Sequence, residues 1–186
     1  MILTAILTIF LIKDGIAYKD CDGHDRFPDY YWREYKGEIP ADAIPGGRDT
    51  KGKTTYIGHF HIPNQGIHPA VIYPDTKTLS VSASQLTRKP GKDTKILCSR
   101  AQHMFKWIPT NLSTIHLLTG YHFVVGGFHP NQMMYIGRRK MDNGELLVAK
   151  VLEYSEGAKG IHVNINKQLS KALPDFELLV YDYQAC

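Results

Sequence analysis

The sequence has few cysteines and no apolar run long enough to span a bilayer. Its 186 residues include only three cysteines, Cys21, Cys98 and Cys186, and their spacing fits neither a zinc site nor a redox pair. The apolar stretch at residues 2–12 is too short for a transmembrane helix. The formal charge of +4 comes from scattered lysines and arginines. The sequence therefore predicts no membrane insertion and no nucleic-acid partner.

Motifs of the familiar enzyme classes are also missing. The sequence contains no nucleophile elbow, Walker loop, dinucleotide fingerprint or paired helical metal motif. Glu34, Glu38 and Asp42 are close in sequence, but three acids near a turn are usually a solvated edge and not a catalytic pair. We therefore predict that the protein is not an enzyme, has no catalytic residue and needs no cofactor.

The N-terminal segment favours secretion. Residues 2–12 are apolar, and Gly15 and Ala17 supply small residues where a signal peptidase reads. We predict a signal peptide at residues 1–17 and a polar leader at 18–29, hence an extracellular protein. Because the extreme N-terminus has no basic residue, a buried first strand is the alternative.

Three cysteines in a secreted chain allow at most one internal bridge. Cys21 and Cys186 stand near opposite ends of the mature chain, so a bridge between them is one expectation and a link to another chain is the alternative. Cys98 follows Ile96 and Leu97, a context that favours a buried thiol acting as a small hydrophobe.

Short runs of β-branched and aromatic residues, separated by turn signals, fill most of the chain. Residues 54–62 and 94–98 are examples, and Gly46-Gly47 and Asn143-Gly144 are among the predicted turns, the second of type I′. Only residues 166–173 suggest a helical turn. This pattern predicts an all-β protein of antiparallel strands.

One motif occurs twice, about 80 residues apart. The glycine pair Gly46-Gly47 precedes Tyr56-Ile57-Gly58, and the pair Gly126-Gly127 precedes Tyr135-Ile136-Gly137. Trp107 in the second copy corresponds to Trp32 in the first. We predict two tandem repeats, at residues 30–103 and 104–186. Because no linker separates them, we expect interlocked antiparallel repeats that share a core and form one compact body. The tryptophans, which recur at matching positions, are expected in the core before any role in sugar stacking.

Two further features have competing interpretations. Asn111 begins the only N-glycosylation sequon, so an exposed loop carrying a glycan is one reading and a chance match is the other. His59 and His61 alternate on a predicted strand, a spacing that can serve a metal. They correspond to Arg138 and Lys140 in the second repeat. Cations at the matching positions favour a solvated polar face, and we predict no metal site.

A spaced set of residues in the first repeat resembles the DM-nine repeat family. The matching positions are Trp32, Ile39-Pro40, Ala43-Ile44, Gly46-Gly47, Asp49, Gly52 and Tyr56-Ile57-Gly58. The resemblance implies a small all-β body of two interlocked repeats. In the lectin members it also implies a mannose site in each repeat, where an aspartate after the glycine pair and a lysine further on hold sugar hydroxyls.

This sequence departs from that pattern in both repeats. The first repeat keeps Asp49 but has Ala70 where the lysine is expected, whereas the second keeps Lys150 but has His129 in place of the aspartate. The sugar-binding candidates are therefore Asp49, Lys150 and His129. We predict that at most one site survives, formed if interlocking brings Asp49 to Lys150. The alternative is that Asp49 only makes an Asx-type turn.

These features together predict a secreted, mannose-type lectin-like recognition protein with one or both sugar sites degenerate. Its expected partners are cell-surface glycans, with a homodimer possible, and a role in innate defence follows from the resemblance alone. The alternative is a secreted interaction or structural module that has lost sugar binding and contacts partners through strand edges or exposed aromatic residues.

Overall fold

The structure, a computed structural model, describes residues 27–82, 86–129, 132–153, 159–164 and 170–185. Within these ranges the chain forms antiparallel strands and two short 3-10 helices, Gln102–Met104 and Ile115–Leu117, which confirms the all-β prediction. The predicted signal peptide, most of the leader, Cys21 and Cys186 lie outside the described residues.

Seven strands belong to the first half of the chain and eight to the second. The first half contains β1 (Tyr31–Glu34), β2 (Pro45–Arg48), β3 (Thr54–Ile62), β4 (Gly66–Tyr73), β5 (Thr78–Val81), β6 (Leu86–Arg88) and β7 (Thr94–Cys98). The second contains β8 (Phe105–Asn111), β9 (His122–Phe123), β10 (Val125–His129), β11 (Gln132–Lys140), β12 (Leu146–Leu152), β13 (Gly160–Asn164), β14 (Ser170–Leu173) and β15 (Asp175–Tyr181).

Six of these strands close into a ring at the centre of the protein. Their order is β3, β2, β12, β11, β10 and β4, and β4 pairs again with β3. Each glycine-pair strand lies between the long hairpin of its own half and a strand of the other half: β2 joins β3 to β12, and β10 joins β11 to β4. The two halves are therefore interlocked.

The two halves use the same pairing scheme. Gly58 pairs with Ala70 in the β3–β4 hairpin, and Gly137 pairs with Ala149 in the β11–β12 hairpin. On the outer side, β7 pairs with β3 and carries β1, just as β15 pairs with β11 and carries β8. This correspondence is one of geometry, and a tandem repeat of the DM-nine type stays a prediction.

The glycine pairs lie inside strands, so the prediction of a turn at Gly46-Gly47 was wrong. A Cβ atom on Gly47 would stand 1.9 Å from the carbonyl oxygen of Leu146, and one on Gly127 would stand 2.0 Å from that of Ile67. The glycines are needed because the backbone of the other half approaches too closely for any side chain. In both strands the pairing register shifts at the glycine pair.

Two local predictions also need correction. The hairpin between β11 and β12 is present, but its turn is not type I′: Gly144 alone has a positive φ, of 87°, and Asn143 instead accepts a hydrogen bond from the Glu145 backbone N–H. Type I′ needs two consecutive positive φ angles. The helical turn predicted at residues 166–173 is wrong for Ser170–Leu173, which is strand β14, while residues 166–169 lie outside the described residues.

The main core is shared between the halves, as expected for one compact body. Ile57 and Val71 pack in the same cluster as Ile136 and Val148, and both tryptophans are half-buried against it. Cys98 is fully buried and free, which confirms the thiol prediction. Asn111 is the half-buried last residue of β8, so the loop expected around it begins one residue later. In the described part of the chain no helix is long and apolar enough to cross a membrane.

Candidate functional site

Asp49 and His129 occupy equivalent places at the ends of the two glycine-pair strands. Asp49 directly follows β2, and its N–H donates to the Lys53 carbonyl across the turn at 2.9 Å. His129 is the last residue of β10 and pairs with Gln132 across the corresponding turn. We call the group of Asp49, Tyr73 and Glu145 the Asp49 end, and the group of His129, Lys150 and His68 the His129 end.

At the Asp49 end, the aspartate holds the turn that follows β2. Its Oδ1 accepts hydrogen bonds from the backbone N–H groups of Lys51 and Lys53, both at 2.8 Å. This is the Asx-type turn proposed as the alternative role of Asp49. The other oxygen, Oδ2, makes no hydrogen bond to the described part of the chain. The Oδ1 atom of Asp49 therefore has a structural role, whereas Oδ2 can still accept a hydrogen bond.

A second carboxylate reaches the Asp49 end from the other half of the protein. Because Arg48 pairs with Leu146, the next residue along, Asp49, comes beside Glu145. The Tyr73 hydroxyl donates to Glu145 Oε1 at 2.6 Å. Burial raises the pKa of Tyr73 most, followed by the hydrogen bond to Glu145 and then by the negative charges of Glu145 and Asp49. Two carboxylates, one from each half, therefore act on one phenol.

The His129 end has the same backbone arrangement with different side chains. Phe128 pairs with Ile67, and a Cβ atom on Gly66 would stand 3.2 Å from the His129 Cα atom. His68, which is buried with 3% of its surface exposed, lies on β4 together with Gly66 and Ile67. Its ring Nε2–H donates to the Gln65 carbonyl at 3.0 Å, while its Nδ1 is buried without a partner in the described chain.

Lys150 completes a cluster of basic groups at the His129 end. It is half-buried on β12 opposite Ile136, and it makes no hydrogen bond or ion pair within the described residues. Burial lowers the pKa of Lys150. The pKa of His68 is lowered to about 4, first by burial and then by the positive charge of Lys150, with a smaller effect of His129. His68 is thus close enough to Lys150 and to His129 to interact electrostatically with each.

The structure does not bring Asp49 to Lys150, so the predicted hybrid site is not formed. Asp49 lies beside Glu145, and Lys150 is five residues further along the same strand direction. At about 3.3 Å per residue the separation is about 16 Å, too far for two side chains to hold one sugar ring. The position equivalent to Lys150 is also Val71 and not Ala70, because Ile57 pairs with Val71 as Ile136 pairs with Lys150.

Sequence reasoning missed Tyr73, Glu145 and His68. Glu145 follows the Asn143-Gly144 turn signal and Tyr73 directly precedes Pro74-Asp75, but neither pattern shows that β2 pairs with β12. His68 lies near the start of β4, and its burial depends on the approach of β10 and β12. Each of the three is placed by a contact between the halves, for which a local sequence pattern contains no signal.

The tryptophans mark a second pair of equivalent places. Trp32 stacks on His59, with ring centroids 3.8 Å apart, and the His59 Nδ1–H donates to the Gly126 carbonyl at 3.2 Å. The guanidinium carbon of Arg138 lies 4.3 Å from the centroid of the Trp107 ring. The Nη1–H of Arg138 donates to the Gly46 carbonyl at 3.4 Å. His59 is therefore buried, which corrects the surface position expected for it.

Two other features carry no candidate chemistry. A cavity of about 290 Å³ is lined by residues of the end of β11, of the β11–β12 turn, and of β13 and β14, and it includes no residue of either end. In the described ranges no three histidine, cysteine, aspartate or glutamate side chains gather in a way that could hold a metal ion.

No protein-family model matches the chain, and no curated protein sequence matches it. The candidate site is therefore defined by geometry and chemistry alone.

Proposed function

We propose that the protein is a carbohydrate-binding recognition protein and that a neutral sugar binds at the Asp49 end. The observation that supports this most is the hydrogen bond from Tyr73 to Glu145, which holds a carboxylate of the second half beside Asp49 of the first. Vicinal sugar hydroxyls are hydrogen-bond donors, and carboxylate oxygens are their strongest neutral-pH acceptors in proteins.

The hydrogen-bond acceptor positions that Asp49, Glu145 and Tyr73 leave unused suit the hydroxyl groups of a sugar. Asp49 uses Oδ1 in its turn and Glu145 uses Oε1 for Tyr73, so the second oxygen of each carboxylate is left for a ligand. The Tyr73 oxygen donates its proton to Glu145 and retains lone pairs that can accept from a third hydroxyl. This site replaces the predicted Asp49–Lys150 pair by two carboxylates from different halves.

The ligand class and the setting come from the resemblance. Mannose is the first sugar to test because the DM-nine lectins bind it, and secretion with a role in innate defence belongs to the same proposal. The predicted signal peptide at residues 1–17 supports an extracellular location.

Mannose-affinity retention and titration calorimetry, with two isosteric variants, test the proposal. Asp49→Asn keeps an Oδ1 acceptor for the turn, and Glu145→Gln keeps an acceptor for Tyr73, so each removes charge with little change of shape. We expect each to weaken sugar binding about tenfold or more, the loss typical of one charge-assisted hydrogen bond. Asp75→Asn is the matched control, since Asp75 is an exposed acid paired with Lys53 outside the proposed contact.

Retention that survives both charge-removing variants would place the sugar elsewhere. If the unmodified protein binds no sugar in a broad glycan array, the interaction module becomes the better explanation. One observation favours that second candidate: Phe128 and Met133 lie directly opposite each other on β10 and β11 with exposures of 55% and 61%. Two such side chains on one face suit a protein partner.

A further inference from the structure

The His129 end contains two polar groups that the described chain leaves unsatisfied. His68 Nδ1 is buried without a partner, and Lys150 is half-buried without an ion pair or hydrogen bond. Buried polar groups are rarely left unpaired, and a half-buried ammonium without a counter-charge is costly. Both groups belong to one cluster, so a single ligand could satisfy them together.

We propose that the His129 end is an oxyanion-binding site, which takes a sulfate, phosphate or carboxylate group through Lys150, His68 and His129. Lys150 donates up to three charge-assisted hydrogen bonds, and a protonated imidazole donates from both ring nitrogens. The Nε2–H of His68 is held by the Gln65 carbonyl, so its Nδ1 is the atom that would turn from acceptor to donor when an anion binds.

The charges around His68 support an anion and not a cation or a neutral sugar. The groups that act on it are Lys150 from β12 and His129 from β10, and the residue opposite it on β3 is the uncharged Phe60. No carboxylate of the described chain contributes to the pKa of either His68 or Lys150. The charged groups that act on His68 are therefore both positive.

The site is independent of the sugar site proposed above. The equivalents of Lys150 and Glu145 are Val71 and Gly66, so the Asp49 end has no counterpart of the Lys150 ammonium and the His129 end has no counterpart of the Glu145 carboxylate. An oxyanion would find two carboxylates at the Asp49 end and would be repelled there. Failure of mannose binding consequently says nothing about this site.

The proposal is tested by NMR titration of the histidine ring signals with sodium sulfate, against sodium chloride of equal ionic strength. We expect sulfate to shift the His68 and His129 signals saturably and to bind more tightly as the pH is lowered from 7 to 5, because protonation of His68 then favours the anion. His61 is exposed, so its signal serves as an internal control for the general effect of ionic strength on histidine shifts. Glucose 6-sulfate, with glucose as its matched control, shows whether the oxyanion is best presented on a sugar.

Variants at Lys150 decide the assignment. Lys150→Met should weaken sulfate binding about tenfold or more, whereas Lys150→Arg, which retains the charge, should preserve it. Lys140→Met removes an exposed lysine from the neighbouring strand and should have no effect. Equal shifts of His61 and His68, or sulfate binding that is unchanged in Lys150→Met, would overturn the proposal. The Asp49→Asn variant should bind sulfate as the unmodified protein does.

Discussion

The Asp49 end and the His129 end share a backbone and differ in charge. In both, a glycine-pair strand ends beside the first residue of a strand from the other half, yet one end gathers Asp49, Glu145 and Tyr73 while the other gathers His129, Lys150 and His68. The strand pairing depends on backbone hydrogen bonds and on glycines, so it does not depend on the side chains at the Asp49 end and the His129 end. The same framework can therefore present acidic or basic chemistry.

The tryptophan sites show the same contrast at a second position. His59 and Arg138 both bridge a tryptophan of their own half to a glycine carbonyl of the other half. The cross-strand neighbour of His59 is Lys95, whereas that of Arg138 is Glu177. A neutral histidine is therefore compatible with a lysine next to it, and an arginine is compensated by a carboxylate.

The test with the largest expected effect disrupts the close approach of the two backbones at Gly47 and Gly127, which the two ends share. Gly47→Ala and Gly127→Ala each place a Cβ atom about 2 Å from a carbonyl oxygen of the other half, so the backbones must separate. We expect each to reduce the free energy of unfolding by more than about 4 kcal/mol or to prevent folding, as severe backbone clashes do. Urea denaturation measures this, with Gly91→Ala as the control because no atom lies within 4 Å of a Cβ there. Stability equal to that of the control would contradict the closed ring.

The next test exploits acid sensitivity, which separates His59 from its counterpart Arg138. The pKa of His59 is lowered to about 4 by burial, against an ordinary value of 6.5, so the folded state disfavours its protonation. The stability should be fully present above pH 6.5, fall as the pH decreases towards 4 and level off below. The full loss is about 3 kcal/mol, at about 1.36 kcal/mol per pKa unit.

Denaturation series between pH 7 and 4.5 check this for His59→Gln, which keeps a donor for the Gly126 carbonyl. We expect the variant to lose less stability on acidification than the unmodified protein does. Arg138→Lys keeps a positive charge at the counterpart position, so it should leave the slope unchanged. A slope that is the same in His59→Gln would mean that His59 is not held neutral by the fold.

The smallest expected effect is at Arg138. Its guanidinium forms a bidentate pair with Glu177, at 2.7 and 3.2 Å, and packs on Trp107. Arg138→Gln leaves Glu177 without its partner, and because both side chains are partly exposed the cost should be about 2 kcal/mol. The double variant Arg138→Gln/Glu177→Gln should recover part of that loss in thermal unfolding. A loss in the double variant that equals or exceeds the sum of the two single losses would show that the pair is not coupled as described.

Most of the framework could be predicted from the sequence, and most of the candidate site could not. The β-branched runs, the turn signals and the buried context of Cys98 are local, so they predicted the strands, the hairpin at Gly144 and the free thiol. The glycine pairs were recognised as special, but their role was misjudged, because only the approach of Leu146 and Ile67 shows that they are needed inside strands.

The sequence by itself determined an all-β chain with two matching glycine-pair segments and unequal residues at Asp49 and His129. Only the tertiary structure decided which groups meet. Asp49 meets Glu145 and not Lys150, and His68 joins Lys150 and His129. The physical reason is that a strand register fixes distances along the neighbouring strand to within one residue. Which strand is the neighbour depends on non-local pairing, and no local pattern encodes that choice.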